Sequence, residues 1–225
     1  METFGHRGAA GLVAENTVES VEEALRHHVD GIEIDVHLCK TGDLVAIHDD
    51  TLDRTTNGKG NVSDYTLHEL RQFKTQEGYV IPNLKEILNV INAQCKLNIE
   101  LKGKNTAMPT IRLLNEYIKN TDWDYEHFII SSFDHSQLFQ IKEANSRFKL
   151  GVLTEENVKS VLPIAHRLKA YSIHPPVSSL VRDEVERAKK LGYRIYVWTV
   201  NDKFIIDQSK SWNIDGIITD FPNFV

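Results

Sequence analysis

Apolar and polar positions alternate over residues 31–37, so that Ile32, Ile34 and Val36 share one face of an extended segment while Glu33 and Asp35 share the other. Residues 97–102 repeat the design, with Leu97, Ile99 and Leu101 opposed to Asn98, Glu100 and Lys102. Between such stretches the period lengthens to that of a helix. Val18, Val21, Ala24, Leu25 and His28 fall on one stripe, with Asn16 as the expected N-cap and Glu19 completing a capping box. Read this way, the chain predicts strands at 3–6, 31–37, 97–102, 127–131, 149–153, 169–173, 194–198 and 215–219. Helices are predicted at 17–28, 83–93, 106–119, 134–145, 155–167, 179–191 and 202–211.

Two features interrupt the rhythm. A turn at 40–43 sends 44–48 back as a hairpin arm, which returns His48 toward Asp35. Residues from about 50 to 80 are polar and turn-rich, with one short helix inside 63–73, and read as an insertion on a rim. Eight strands alternating with helices predict an α/β fold, a closed (β/α)8 TIM barrel in a single domain spanning 1–225. Only six residues follow Thr219, so the eighth helix is expected to be truncated. That flank is then partly open, or covered by the insertion or by a second copy in a homo-oligomer.

Composition narrows the partners. A hydrophobic content of 41% over 225 residues supplies a sizeable core, and a net charge of -6 argues against a nucleic-acid surface while leaving room for a local positive pocket. Two cysteines, Cys39 and Cys95, make no disulfide framework and suit a reducing compartment. The first strand begins within a few residues of Met1, and no long apolar run follows, so a cytoplasmic protein without membrane insertion is expected.

The chemistry gathers where barrel chemistry belongs, at the C-terminal ends of strands. His6 and Arg7 end the first, Glu33 and Asp35 the second, Glu100 and Lys102 the third and Trp198 the seventh, with His48 just beyond the hairpin. Two carboxylates on an arbitrary strand would by default be a structural ion pair. Glu100 on a matching face turns the expectation to a metal held by Glu33, Asp35 and Glu100. Three carboxylates without a Cys cluster favour a hard divalent cation, Mg²⁺ or Ca²⁺, with Mn²⁺ also admissible. Arg7 and Lys102 suit a phosphate oxygen, although Lys102 can equally serve to neutralise Glu100. His6 and His48 titrate near neutrality, so one can take a proton from a nucleophile and the other give one to a leaving alkoxide. Together these groups describe phosphodiester cleavage. Asn201 reads as a helix cap and His174, before Pro175, as a solvated loop residue.

These residues also carry a resemblance. His6-Arg-Gly8, Glu15-Asn-Thr17, Gly31-Ile-Glu-Ile-Asp-Val36, Thr41-Gly-Asp43 leading to His48-Asp49, Ile99-Glu-Leu-Lys102, Ser132-Phe133 and Asp215-Gly-Ile-Ile-Thr-Asp220 are similar to the glycerophosphodiester phosphodiesterase family, in its short cytoplasmic bacterial form. Each motif alone is weak; their order and spacing along nearly the whole chain make the signal specific. The resemblance implies hydrolysis of a small-molecule glycerophosphodiester to glycerol 3-phosphate and an alcohol with a divalent cation, His6 and His48 acting as the acid–base pair. It also implies that Arg7 and Lys102 contact phosphate, that Glu15 supports them or the glycerol end, and that Trp198 forms a pocket wall. Ala14 stands where that family commonly has proline. The competing readings are a phosphodiesterase acting on intact lipid, of phospholipase D or C type, and a silent barrel that only binds a ligand.

Overall fold

The computed structural model describes residues 1–225. Strand β1 (Glu2–Gly5) leads into α1 (Val18–Arg26) and β2 (Gly31–Leu38), and β3 (Leu44–Ala46) folds back on β2 as an antiparallel arm. The insertion holds one short helix, α2 (Leu67–Leu70), before α3 (Leu84–Ile91) restores the rhythm. Then β4 (Lys96–Leu101), α4 (Ala107–Asn120), β5 (Phe128–Ser132), α5 (His135–Ala144), β6 (Lys149–Leu153) and α6 (Val158–Leu168) alternate. They are followed by β7 (Ser172–His174), α7 (Arg182–Lys190), β8 (Arg194–Val197), α8 (Lys203–Ser211) and β9 (Gly216–Thr219). All strands except β3 are parallel, in the order β1-β9-β8-β7-β6-β5-β4-β2, and β1 also pairs with β2, which closes a (β/α)8 barrel.

Alternation within the strands sorts side chains into two populations. Outward positions such as Ile32, Ile34, Leu97 and Ile99 join a buried apolar cluster between sheet and helices. Inward positions are layered. Phe4, Ile129, Tyr196 and Ile218 fill the middle of the barrel, while below them Glu2 accepts from Lys96 Nζ at 2.5 Å and from the Tyr196 hydroxyl at 2.8 Å. Gly31 opposes Phe4 in this inward row, where a Cβ would lie 2.2 Å from the Phe4 ring. The next inward residues along β2 are Glu33 and Asp35, above the apolar plug. Their polarity is thus a matter of height in the barrel.

Several local expectations change. The α1 cap is Thr17, whose hydroxyl accepts from the Ser20 N–H, and not Asn16. Strand β7 begins at Ser172, later than 169, because Lys169 ends α6 in a left-handed conformation at φ 51°. His174 is accordingly part of β7 and buried inside the barrel, not solvated. Its Nε2 lies 2.7 Å from the Ser172 hydroxyl, and burial pushes the ring down to about 3. The 3₁₀ turn Pro222–Phe224 stands where an eighth helix would be, and the insertion packs elsewhere, on the β2–β3 hairpin through Leu52, Val62, Leu70 and Ile81.

Gly151 marks the tightest interior contact around His174. A Cβ there would meet His174 Nε2 at 2.7 Å and Ser131 Cβ at 3.2 Å, with neither neighbour free to swing into solvent. Gly151→Ala is expected to destabilise the fold by about 2 kcal/mol through overpacking, read as a lower urea midpoint at unchanged slope.

Candidate active site

The turn after β1 delivers two groups at once. Arg7 adopts φ 49° and Gly8 φ 87°, and a Cβ on Gly8 would lie 2.4 Å from the Ser20 hydroxyl, so the chain reverses tightly against α1. This reversal aims the Arg7 backbone N–H at Glu33 Oε2, at 3.0 Å, and sets its guanidinium between two carboxylates. Nη1 donates to Glu15 at 2.7 Å, and Nε stands 3.3 Å from Asp35 Oδ2.

Glu33, Asp35 and Glu100 meet at the strand ends. Their pairing follows from register, since Glu33 opposes Asn98 and Asp35 opposes Glu100 across β2 and β4. One oxygen from each lies within 4.8 Å of the others, and all three residues are buried. Burial raises the Glu33 carboxyl well above its ordinary range, the nearby Asp35 and Glu100 charges add to this, and Arg7 opposes it. Burial and then Asp35 push Glu100 up to about 7, against Lys102, whose Nζ donates to it at 2.9 Å. Glu33 Oε1 has no protein partner. Three hard oxygen donors converge here, two of them destabilised as anions and one with a free lone-pair side. That is a donor set matched to a divalent cation.

Asn16 explains how Asp35 is held. Its side-chain N–H₂ donates to Asp35 Oδ2 at 2.9 Å while its Oδ1 accepts the Asp35 backbone N–H at 3.1 Å.

Both histidines are backed by carboxylates. Asp220, just past β9, accepts from His6 Nδ1 at 2.6 Å, leaving Nε2 4.0 Å from Glu33 Oε2. Burial raises Asp220, but the His6 bond and charge together with the Asn201 bond and the Arg7 charge outweigh it, and the carboxyl ends below its ordinary value. Asn201 proves to be no helix cap, since Asp202 takes that role. Asn201 instead donates to Asp220 Oδ2 at 2.5 Å and accepts its backbone N–H at 2.9 Å. His48 Nδ1 meets Asp49 Oδ1 at 2.6 Å. Partial burial lowers the His48 ring, only partly offset by Asp35 and Asp49, while Arg54 and then His48 hold Asp49 far below the usual carboxylate range. His37, on β2, donates from Nε2 to the His48 carbonyl at 3.0 Å and so fixes the backbone that carries the ring.

A cavity of about 220 Å³ joins these parts, with His6, Arg7, Glu33, His48, Glu100 and Lys102 on its polar side and Trp198 with Phe133 as an apolar wall. Trp198 Nε1 donates to the His174 carbonyl at 2.9 Å, and its ring meets Phe133 edge-on at 5.7 Å. Of the residues singled out from the sequence, Asp35 lies behind the cavity surface. Glu15 does not border it either and reaches it through Arg7. Asn16, Asp49, Arg54, Phe133, Asn201 and Asp220 were not anticipated as site residues. Asp49 follows His48 directly and was the easiest to find. Asp220 lies 214 residues from His6 and gave no local signal.

Acidic donors for a cation, fixed positive charge and two carboxylate-backed imidazoles around one small cavity suit an ester that is itself anionic. At the level of class, this is a (β/α)8-barrel phosphodiesterase. Residues 6–224 match the glycerophosphoryl diester phosphodiesterase family, and the chain belongs to it. It is 38% identical to the glycerophosphodiester phosphodiesterase of Caldanaerobacter subterraneus subsp. tengcongensis, over 97% of this chain and 93% of that one. It is 35% identical to that of Bacillus altitudinis, over 98% and 94%. Among solved structures it superposes on an Oleispira antarctica phosphodiesterase in complex with the product sn-glycerol-3-phosphate. The TM-score is 0.90 at 29% identity, covering 99% of this chain and 94% of that one. The Thermotoga maritima glycerophosphodiester phosphodiesterase superposes with a TM-score of 0.84 at 29% identity, covering 99% and 95%. No helix of the chain is long and apolar enough to cross a membrane.

Proposed function

We propose that the chain hydrolyses small glycerophosphodiesters to glycerol 3-phosphate and an alcohol, with His6 and His48 as the proton-transfer pair. The observation that carries this reading is that both imidazoles, Arg7, Lys102 and two of the three clustered carboxylates, Glu33 and Glu100, border the same cavity, with Asp35 directly behind them. Glu33, Asp35 and Glu100 would hold a divalent cation, Mg²⁺, Ca²⁺ or Mn²⁺, which when bound neutralises charge on the phosphoryl oxygens. Arg7, fixed by Glu15 and Asp35, and Lys102 bind and orient the phosphate. His48, lowered by burial, is neutral at pH 7 and takes the nucleophile's proton at Nε2, since Nδ1 is engaged by Asp49. His6, held through Nδ1 by Asp220, supplies the proton to the departing alkoxide from Nε2. Attack by water or by the glycerol 2-hydroxyl fits the same groups. Trp198 and Phe133 shield the alcohol side from solvent. The buried, unpaired Cys39 and Cys95 accord with action in a reducing cytoplasm.

The direct test is enzymatic detection of glycerol 3-phosphate from glycerophosphocholine, glycerophosphoethanolamine and glycerophosphoglycerol, with EDTA and then with each cation restored. Release that stops with EDTA and returns with a cation is expected. No release from any diester with all three cations supplied would sink the assignment.

A further inference from the structure

Arg54 belongs to the polar insertion and its side chain is 47% exposed, yet no other side chain is so fully engaged near the cavity. Nε and Nη2 donate to Asp49 Oδ2 and Oδ1 at 2.7 and 3.0 Å. Nη1 and Nη2 donate to Glu15 Oε2 and Oε1 at 2.9 and 2.8 Å. One planar fork thus holds two carboxylates, and each carboxylate holds a group that borders the cavity. Asp49 Oδ1 lies 2.6 Å from His48 Nδ1, and Glu15 Oε1 accepts from Arg7 Nη1 at 2.7 Å.

We propose that Arg54 is a positioning residue that fixes the ring orientation and tautomer of His48 through Asp49 and, through Glu15, the aim of the Arg7 guanidinium. The inference rests on the roles proposed above for His48 and Arg7. The physical case is one of geometry. Asp49 is partly exposed, and with neither oxygen tied it would turn to water and free the His48 ring to rotate. With both oxygens taken by Arg54, one remains aligned to accept from Nδ1, which leaves Nε2 as the acceptor facing the cavity. The planar guanidinium engages both oxygens of each of the two carboxylates at once, which the single nitrogen of a lysine cannot do. Arg54 is not needed to hold the insertion down, because Leu52, Val62, Leu70 and Ile81 bury themselves against Val45 and Ile47. The insertion, on this view, takes part in the reaction without contacting substrate.

The experiment combines kinetics with ¹⁵N-histidine NMR on the full chain as wild type, Arg54→Ala and Arg54→Lys. Arg54→Ala is expected to lower kcat about 10²-fold, the size associated with a misplaced reacting group. Its His48 signal should shift from the Nδ1–H form to a tautomer mixture, and guanidinium ion added at millimolar levels should restore part of both. Arg54→Lys should resemble the alanine variant, and it stands in for it if alanine prevents folding. Unchanged kcat with an unchanged His48 signal overturns the proposal. So does a fall in kcat with the tautomer intact and no response to guanidinium, which marks a merely structural role. Should wild type hydrolyse no diester, the reading of the site fails instead, and the NMR comparison still decides whether Arg54 sets the ring.

Discussion

Replacing His48 with alanine is expected to lower kcat about 10³-fold while leaving KM for a glycerophosphodiester nearly unchanged, the pattern of a lost proton-transfer group. KM should hold because the phosphate grip proposed for Arg7 and Lys102 does not pass through the His48 ring. The fold should hold too. His37 is bonded to the His48 backbone carbonyl, not to its ring, so the contact survives truncation. In the wild type, burial places the ring below its ordinary value of 6.5, so it stays neutral, and able to accept a proton, until the pH falls below that value. The acid limb of kcat/KM therefore belongs below pH 6.5 and should vanish from the residual activity of His48→Ala. A His6→Ala/His48→Ala double variant should lose little more than either single one, because the proposed acid and base would act as a unit. Near-normal turnover in His48→Ala would remove this residue from the mechanism.

The second large effect concerns the acidic cluster, and it has an unusual sign. Glu100 is pushed up to about 7 from an ordinary value of 4.5, by burial first and by Asp35 next. A carboxyl whose folded pKa exceeds its unfolded one stabilises the fold while protonated. That contribution is complete below pH 4.5 and is lost as the pH rises through about 7. Glu33, raised for the same reasons, pulls in the same direction. Burial lowers His37, His48 and His174, whose contribution runs the other way and is gained as the pH rises to about 6.5. Relative to Glu100→Gln, metal-free wild type should therefore lose stability on going from pH 4.5 to 8, and a divalent cation should restore it most at the alkaline end, where the site is ionised. At 100 times the dissociation constant, binding adds about 2.7 kcal/mol. Glu100→Gln removes one of the three proposed ligands and the ionisation with it. Its melting temperature should respond much less to cations, and its turnover should fall by about 10²-fold or more. Calorimetry with and without EDTA across this range reads both effects. A melting temperature indifferent to EDTA at pH 8 would argue that no cation sits there.

What was legible in the sequence was whatever a strand's two-residue period expresses. On β2 and β4 the outward rows are apolar and the upper inward rows acidic, so the alternation itself exposed Glu33, Asp35 and Glu100, and the strand-end rule exposed His6, Arg7 and Lys102. What stayed hidden was everything set by contacts between distant segments. Asn16 reads as a cap because asparagine commonly caps, but its positive φ, 57°, and its two bonds to Asp35 serve the site, and Thr17 takes over the capping. His174 reads as a loop residue because the prolines after it suggest one; the left-handed end of α6 at Lys169 moves the strand onto it. Arg54 lies in a stretch with no period at all, so nothing local separates it from its polar neighbours.

The pairing of β1 with β9 has a bearing on how the molecule comes into being. Synthesis runs from the N-terminus, so Glu2–Gly5 must wait beside β2 with one edge bare until Gly216–Thr219 have left the ribosome. Asp220 arrives one residue later, and only then does His6 acquire its partner. On the role proposed for His6, activity waits until translation has passed Asp220, and products cut short before it carry an unheld imidazole along with an adhesive strand edge.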